Sequence, residues 1–220
     1  MAVKDFPANI GPDAEEWTLT YNTQTFESDL NGAMQTAELP GARWSVSMTF
    51  SNRQGKSARA LQGFLAGLKG RAGRFWVTPT DWEPLGNQTE ALSVGPAASL
   101  SLDFANQDYF IADGADEYTG TSFLASGGTL DDPESLCAGD YVEINGELKK
   151  LTADFETDEA GEGFLEFAPP MRVPVGYGQE IRVNRPRAVM QLSDDGQAGW
   201  SASAPVIYSL TINGREALDI

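Results

Sequence analysis

The side chains that could do chemistry in this chain are carboxylates, with a few cations and aromatic rings beside them. There are 32 Asp and Glu residues against 15 Lys and Arg, one Cys and no His. The missing histidine removes Ser-His-Asp and Cys-His catalysis, the common zinc sites and any imidazole proton relay. Cys137 stands alone, so no internal disulfide forms and folding needs no oxidising compartment. Asp113, Asp116, Glu117 and the Asp131-Asp132 pair supply the oxygen donors that calcium prefers. The alternating order of a calcium-binding loop is absent from them, and a solvated acidic surface accounts for them better. Two carboxylates across a cleft could hydrolyse a glycoside, but no pattern singles out such a pair. Trp76, Trp82, Tyr109, Tyr118 and Tyr177 could stack on sugar rings, or belong to a core or an interface. We therefore expect no catalytic residue, no metal and no cofactor, and no enzyme.

Lys69, Arg71 and Arg74 cluster where a helix should end. They could grip an acidic neighbour such as the next subunit, or simply complement the helix dipole. Gly67, Gly70 and Gly73 lie among them, but they follow a helix, whereas phosphate-binding loops open one. We read them as a tight reversal from helix to strand. Nucleic acid is disfavoured as a partner, because three cations beside a strongly acidic segment release few counterions.

The elements that position this cluster are legible in residues 38–82. Ala42, Trp44, Val46, Met48 and Phe50 alternate with polar residues, a period of two that predicts a half-buried strand. Leu61, Phe64, Leu65 and Leu68 then fall on one stripe of a helix over about 53–69, capped by Ser51 or Asn52 and ended by Gly70. Phe75, Trp76 and Val77 resume extended chain. Upstream, Trp17, Leu19 and Tyr21 alternate, 23–26 and 34–39 read as strands around Asn31-Gly32, and Pro40-Gly41 punctuates them. The first dozen residues read as an arm that an assembly would order.

Charge divides the chain. Residues 1–80 carry 7 acidic and 8 basic side chains, residues 81–184 carry 21 and 4, and residues 185–220 carry 4 and 3. The middle holds the whole imbalance, which predicts one neutral domain built from both ends, 1–82 and 185–220, with an acidic domain, 83–184, inserted between them. Tyr208, Leu210 and Ile212 alternate in a last strand that should pair back into the N-terminal sheet. Trp44 and Trp200 should both be core. In the middle, Tyr141 to Ile144 and Glu147 to Leu151 flank Asn145-Gly146, a strong hairpin signal. Further strands are expected at 99–104, 108–112, 163–167 and 181–183, with Pro169-Pro170 breaking the chain between the last two. The fold class predicted is mainly β: an antiparallel β-sandwich with one covering α-helix, plus an inserted small β-barrel, OB-like or galectin-like.

The segment ELPGARW, the short helix and LKGRAGRFWV resemble the distal tail proteins of bacteriophages, over residues 17–82. The hairpin with Gly139-Asp140-Tyr141 and Ile144-Asn145-Gly146 looks like the central hairpin of the barrel that family often carries. The resemblance implies a structural virion protein of the tail tip or baseplate. Copies of it, six by the family pattern, would form a ring joining the tail tube to the hub and receptor-binding parts. Its partners would then be itself, the tail tube protein and the tail hub protein, with assembly in the host bacterial cytoplasm. The alternative is a carbohydrate-binding module that recognises host surface glycans. No run of apolar residues suits a membrane span and no secretory leader opens the chain, so membrane insertion is not expected.

Overall fold

The computed structural model describes residues 2–7, 10–94, 110–111, 117–203 and 207–217. It is mainly β, with one α-helix, a curled sheet and a closed barrel. In chain order the strands are β1 (Lys4–Asp5), β2 (Ala14–Glu27), β3 (Met34–Arg53), β4 (Phe75–Val77), β5 (Leu92–Val94), β6 (Phe110–Ile111), β7 (Glu117–Ser126), β8 (Tyr141–Ile144), β9 (Glu147–Leu151), β10 (Glu162–Gly176), β11 (Glu180–Arg182), β12 (Ala188–Leu192), β13 (Ser201–Ser203) and β14 (Ile207–Glu216). Helix α1 spans Gly55–Leu68. The chain divides into two compact units, Met1–Trp76 with Val189–Ile220, and Val77–Ala188. The expected strand at 99–104 and the loop carrying Asp113 and Asp116 lie outside the described residues, as does Tyr109.

The first unit is built on one sheet, in the order β1-β4-β12-β14-β3-β2, with β13 added to β14. The last strand does return to the first half of the chain: Leu210 lies opposite Phe50, Ile212 opposite Met48 and Gly214 opposite Val46. Trp44, Val46, Met48 and Phe50 are buried while the residues between them are not, as a period of two requires. Ala58, Leu61, Leu65 and Leu68 of α1 are buried too, and the three leucines contribute about 1.5–3 kcal/mol each by leaving water. Phe6 ties helix to sheet, with its ring 5.8 Å from Phe50 and 5.0 Å from Phe64. Lys4, Asp5 and Phe6 are therefore docked on their own unit rather than held out as an arm. β1 pairs with β4, and the Lys4 ammonium donates to the Gly67 carbonyl at 2.6 Å.

Several local expectations are corrected here. The helix is entered at Gln54, not Ser51 or Asn52, because β3 continues to Arg53. It is ended by Lys69 in the left-handed region (φ 57°), one residue before Gly70, which follows in the same region. Pro40-Gly41 does not break the chain. Two extra residues are absorbed as a bulge where the pairing steps from Thr20–Arg43 to Asn22–Leu39, and Asn22 Nδ2 donates to the Pro40 carbonyl. Trp200 is not core: it is 48% exposed, just ahead of the three-residue β13.

The second unit closes on itself. The order β10-β9-β8-β11-β5-β7 returns to β10 through its pairing with β7, giving a six-stranded barrel, and β6 adds to the outside of β7. Asn145 and Gly146 both take positive φ, 49° and 80°, and turn β8 into β9 with Ile144 opposite Glu147. The core gathers Phe123, Val142, Ile144, Leu151, Phe155, Leu165 and Phe167, among others. Pro169-Pro170 does not end a strand either. β10 runs through it, with its pairing shifted between Glu166 and Met171.

Candidate functional site

Two surfaces of the first unit are built unlike the rest of it. The first is the outer ribbon of β2 and β3. Among the described residues these strands pair only with each other from Asn22–Leu39 to Glu27–Met34, and every residue from 21 to 40 is exposed. A hairpin loop closes the ribbon, with Ser28 N–H donating to the Ala33 carbonyl and Gly32 N–H to that of Ser28. Only Gly32 takes positive φ there, so the loop is longer than the two-residue Asn-Gly turn expected from sequence. The ribbon projects about 20 Å at the usual strand rise.

Its side chains are not those of an ordinary solvated loop. Leu30 at the tip is 97% exposed, Met34 65% and Phe26 55%, and Leu39 and Tyr21 are exposed as well. Cross-strand neighbours share a face, so Phe26, Ala37 and Leu39 lie on one side with Asn22, Gln24 and Gln35. Two strands with no third strand or helix against them are marginal in water, and so many apolar side chains in the open mark a contact surface. The ribbon carries Glu27, Asp29 and Glu38 and no cation, and none of the three forms an ion pair among the described residues.

The second surface is the polar side of α1 and the turn after it. Residues 41–76 hold seven Lys and Arg and no carboxylate. Arg53 is paired with Asp13 at 2.9 Å, and Arg74 donates to the carbonyls of Arg71, Ala72 and Gly73. Lys56, Arg59, Lys69 and Arg71 are exposed, with no ion pair among the described residues. Lys56 also sits at the positive end of the helix dipole, with no acidic residue in that first turn to offset it. The local fold thus leaves four cations whose best available partner is a carboxylate from elsewhere.

Of the sequence-predicted residues, Lys69 and Arg71 line a shallow depression of about 650 Å³ with Gly70, Ala72, Gln191 and Asp195. Arg74 does not join them, since it is spent on its own turn. Asp195, at the start of the short 3-10 turn Asp195–Ala198, reaches across to the basic loop. Its Oδ1 accepts from the Arg71 N–H at 2.8 Å and would stand 2.5 Å from a Cβ at Gly70. Only glycine fits at position 70, where φ is +68°. Sequence reasoning missed Lys56 and Arg59, although their i, i+3 spacing on the polar side of α1 was visible. It also missed the freedom of the ribbon. The signal was present in the weak apolar alternation of Thr23, Gln24 and Thr25 against Gln35, Thr36 and Ala37.

The acidic unit uses several of its carboxylates as internal clamps. Asp140 accepts from the N–H groups of Leu85, Gly86 and Cys137, and Asp132 from Glu134 N–H and Asn87 Nδ2. Among the described residues no group of three or more His, Cys, Asp or Glu side chains is placed to hold a metal ion. Of the ring residues considered for sugar stacking, Tyr177 is open to solvent, while Trp76 and Trp82 are half-buried. No helix among the described residues is long and apolar enough to cross a membrane.

No family model and no curated protein matches this chain. What bears on function is the pair of surfaces on the first unit. Both are suited to protein contacts, one through exposed apolar side chains and carboxylates, the other through unpaired cations.

Proposed function

We propose that this chain is a structural protein of a phage tail tip, of the distal tail protein kind. Copies of it close a ring, six by the family pattern, that joins the tail tube to the hub and receptor-binding parts. The role is assembly rather than turnover. The observation that carries the proposal is the free ribbon of residues 21–40, which exposes Phe26, Leu30 and Met34 with no third strand or helix against them among the described residues. A monomer working alone gains nothing from such an exposed apolar hairpin, whereas a subunit of a ring covers it on assembly. The resemblance of residues 17–82 to that family, and the inserted barrel, support the same reading. The inserted barrel, with most of the negative charge, would stay in solvent.

The test is immunoelectron microscopy of virions with antibodies raised against the whole chain. Label confined to the tail tip, with a copy number by quantitative mass spectrometry that is a multiple of three, is the expected result. Label on the capsid, or absence of the chain from purified virions, would end the proposal.

A further inference from the structure

The two surfaces of the first unit complement each other in charge, yet each is left open within its own chain. The ribbon holds three exposed carboxylates and no cation, and the helix with its turn holds four exposed cations, with the Asp195 carboxylate beside them engaged by the Arg71 N–H. The ribbon cannot be lying on its own helix, because every residue from 21 to 40 is exposed. We infer that the acidic ribbon of one copy docks on the basic side of α1 of a second copy of this chain. This rests on the ring-forming reading above and names the surfaces that would carry it.

Three features favour a second copy as the occupant. The charges match in sign on patches of one unit, which is what a repeated contact between identical chains needs. The patches are different, so the contact is head-to-tail, and a head-to-tail contact closes into a ring when its rotation permits. The polar side of α1 is also low in relief between the cations. Ala60, Gly63 and Ala66 are exposed there, and a Cβ built on Gly63 would meet nothing within 4 Å. The ribbon face that carries Glu27, Glu38 and Met34 can approach such a surface closely, with Asp29 in the loop at its tip, while these carboxylates reach Lys56, Arg59, Lys69 and Arg71. The acidic barrel unit, with its excess of carboxylates, would repel the ribbon instead.

The experiment uses the full chain and a charge swap. A mixture of ¹⁵N-labelled and unlabelled protein is treated with a zero-length carbodiimide, which joins carboxylates to lysine amines, and intermolecular links are mapped by mass spectrometry. Sedimentation measures self-association in parallel. We expect links from Glu27, Asp29 or Glu38 to Lys56 or Lys69, and association that weakens as salt is raised. Glu27→Lys with Asp29→Lys should weaken self-association by about tenfold or more, and so should Lys56→Glu with Arg59→Glu. An equimolar mixture of the two variants should associate again, because each then offers the other a matching surface. All four positions are exposed, and unchanged circular dichroism and melting would show that the variants fold.

If the wild-type chain associates but the reversals leave it unchanged, or if mixing restores nothing, the docking is wrong while a ring through another surface survives. If the chain neither links nor sediments above a monomer at any concentration, the docking and the ring reading both fall.

Discussion

Glu147 and Lys149 are two residues apart on β9, face the same way, and meet at 2.6 Å with neither side chain open to solvent. Their cross-strand partners are Ile144 and Val142, both members of the barrel core, so the ion pair points into the barrel. Its surroundings explain it. The β10 strand carries Pro169 and Pro170, which cannot donate to a ladder. Lys149 donates to the Pro170 carbonyl at 2.9 Å, and the Glu147 carboxylate accepts from the N–H groups of Arg172 and Val173. Two buried charges thus bind the stretch of β10 where its regular pairing is shifted.

Removing one of them should be costly. Lys149→Met leaves Glu147 charged and buried, with Arg172 at 3.5 Å as its remaining cation. We expect a loss of roughly 3 kcal/mol, read by urea unfolding followed through the barrel, since breaking a buried pair strands its partner. Adding Glu147→Gln should recover most of that loss, because the amide oxygen still accepts from β10 while no lone charge remains. A single variant as stable as the parent would contradict the buried pair.

The ribbon should be dispensable for folding. Replacing residues 23–38 by an Asn-Gly turn between Asn22 and Leu39 removes no buried side chain. The stability of the isolated chain should change by less than about 0.5 kcal/mol by chemical denaturation. A large loss would mean that the ribbon packs on something within its own chain.

Asp158 makes a pH-dependent staple. Its Oδ1 accepts from the N–H of Glu162 at 2.9 Å and of Ala160 at 2.8 Å. The Glu162 bond first, and then the Ala160 bond, hold its carboxyl below the ordinary carboxylate range. A lowered folded pKa means that the contribution is complete above the unfolded pKa. It is lost only as the pH falls through the folded one. The amide shifts of Ala160 and Glu162 should therefore stay constant through the ordinary carboxylate range and move at lower pH. A midpoint at or above that range would refute the staple.

Asp195 should set the shape of the basic turn. Asp195→Ala leaves the Arg71 N–H without its side-chain acceptor and should cost about 1 kcal/mol in thermal or chemical unfolding. It should also quicken hydrogen exchange at Arg71. Protection at Arg71 equal to that of the parent would mean that the turn holds without Asp195.

Much of this architecture could be read from local pattern. Asn145-Gly146 between two apolar runs specifies its hairpin, because both residues tolerate positive φ at little cost. The switch from a period of two at Trp44–Phe50 to a helical stripe at Leu61–Leu68 places strand and helix correctly to within a few residues. The errors share a cause. Pro40-Gly41 and Pro169-Pro170 read as breaks, yet a bulge absorbs the first and a buried ion pair bridges the second. Alternation from Trp200 onward predicts a core position for it, but a three-residue strand gives it no cover.

By itself, then, the order of residues determined many of the strands, though not β1, β5 or β7, and also where the helix lies and where the acidic charge is concentrated, since these depend on neighbours a few positions apart. The tertiary structure alone decided that Asp195 braces the Arg71 turn, and that Glu147 and Lys149 are sealed inside the barrel. Burial depends on what distant strands bring alongside, and no periodicity within a single segment carries that information.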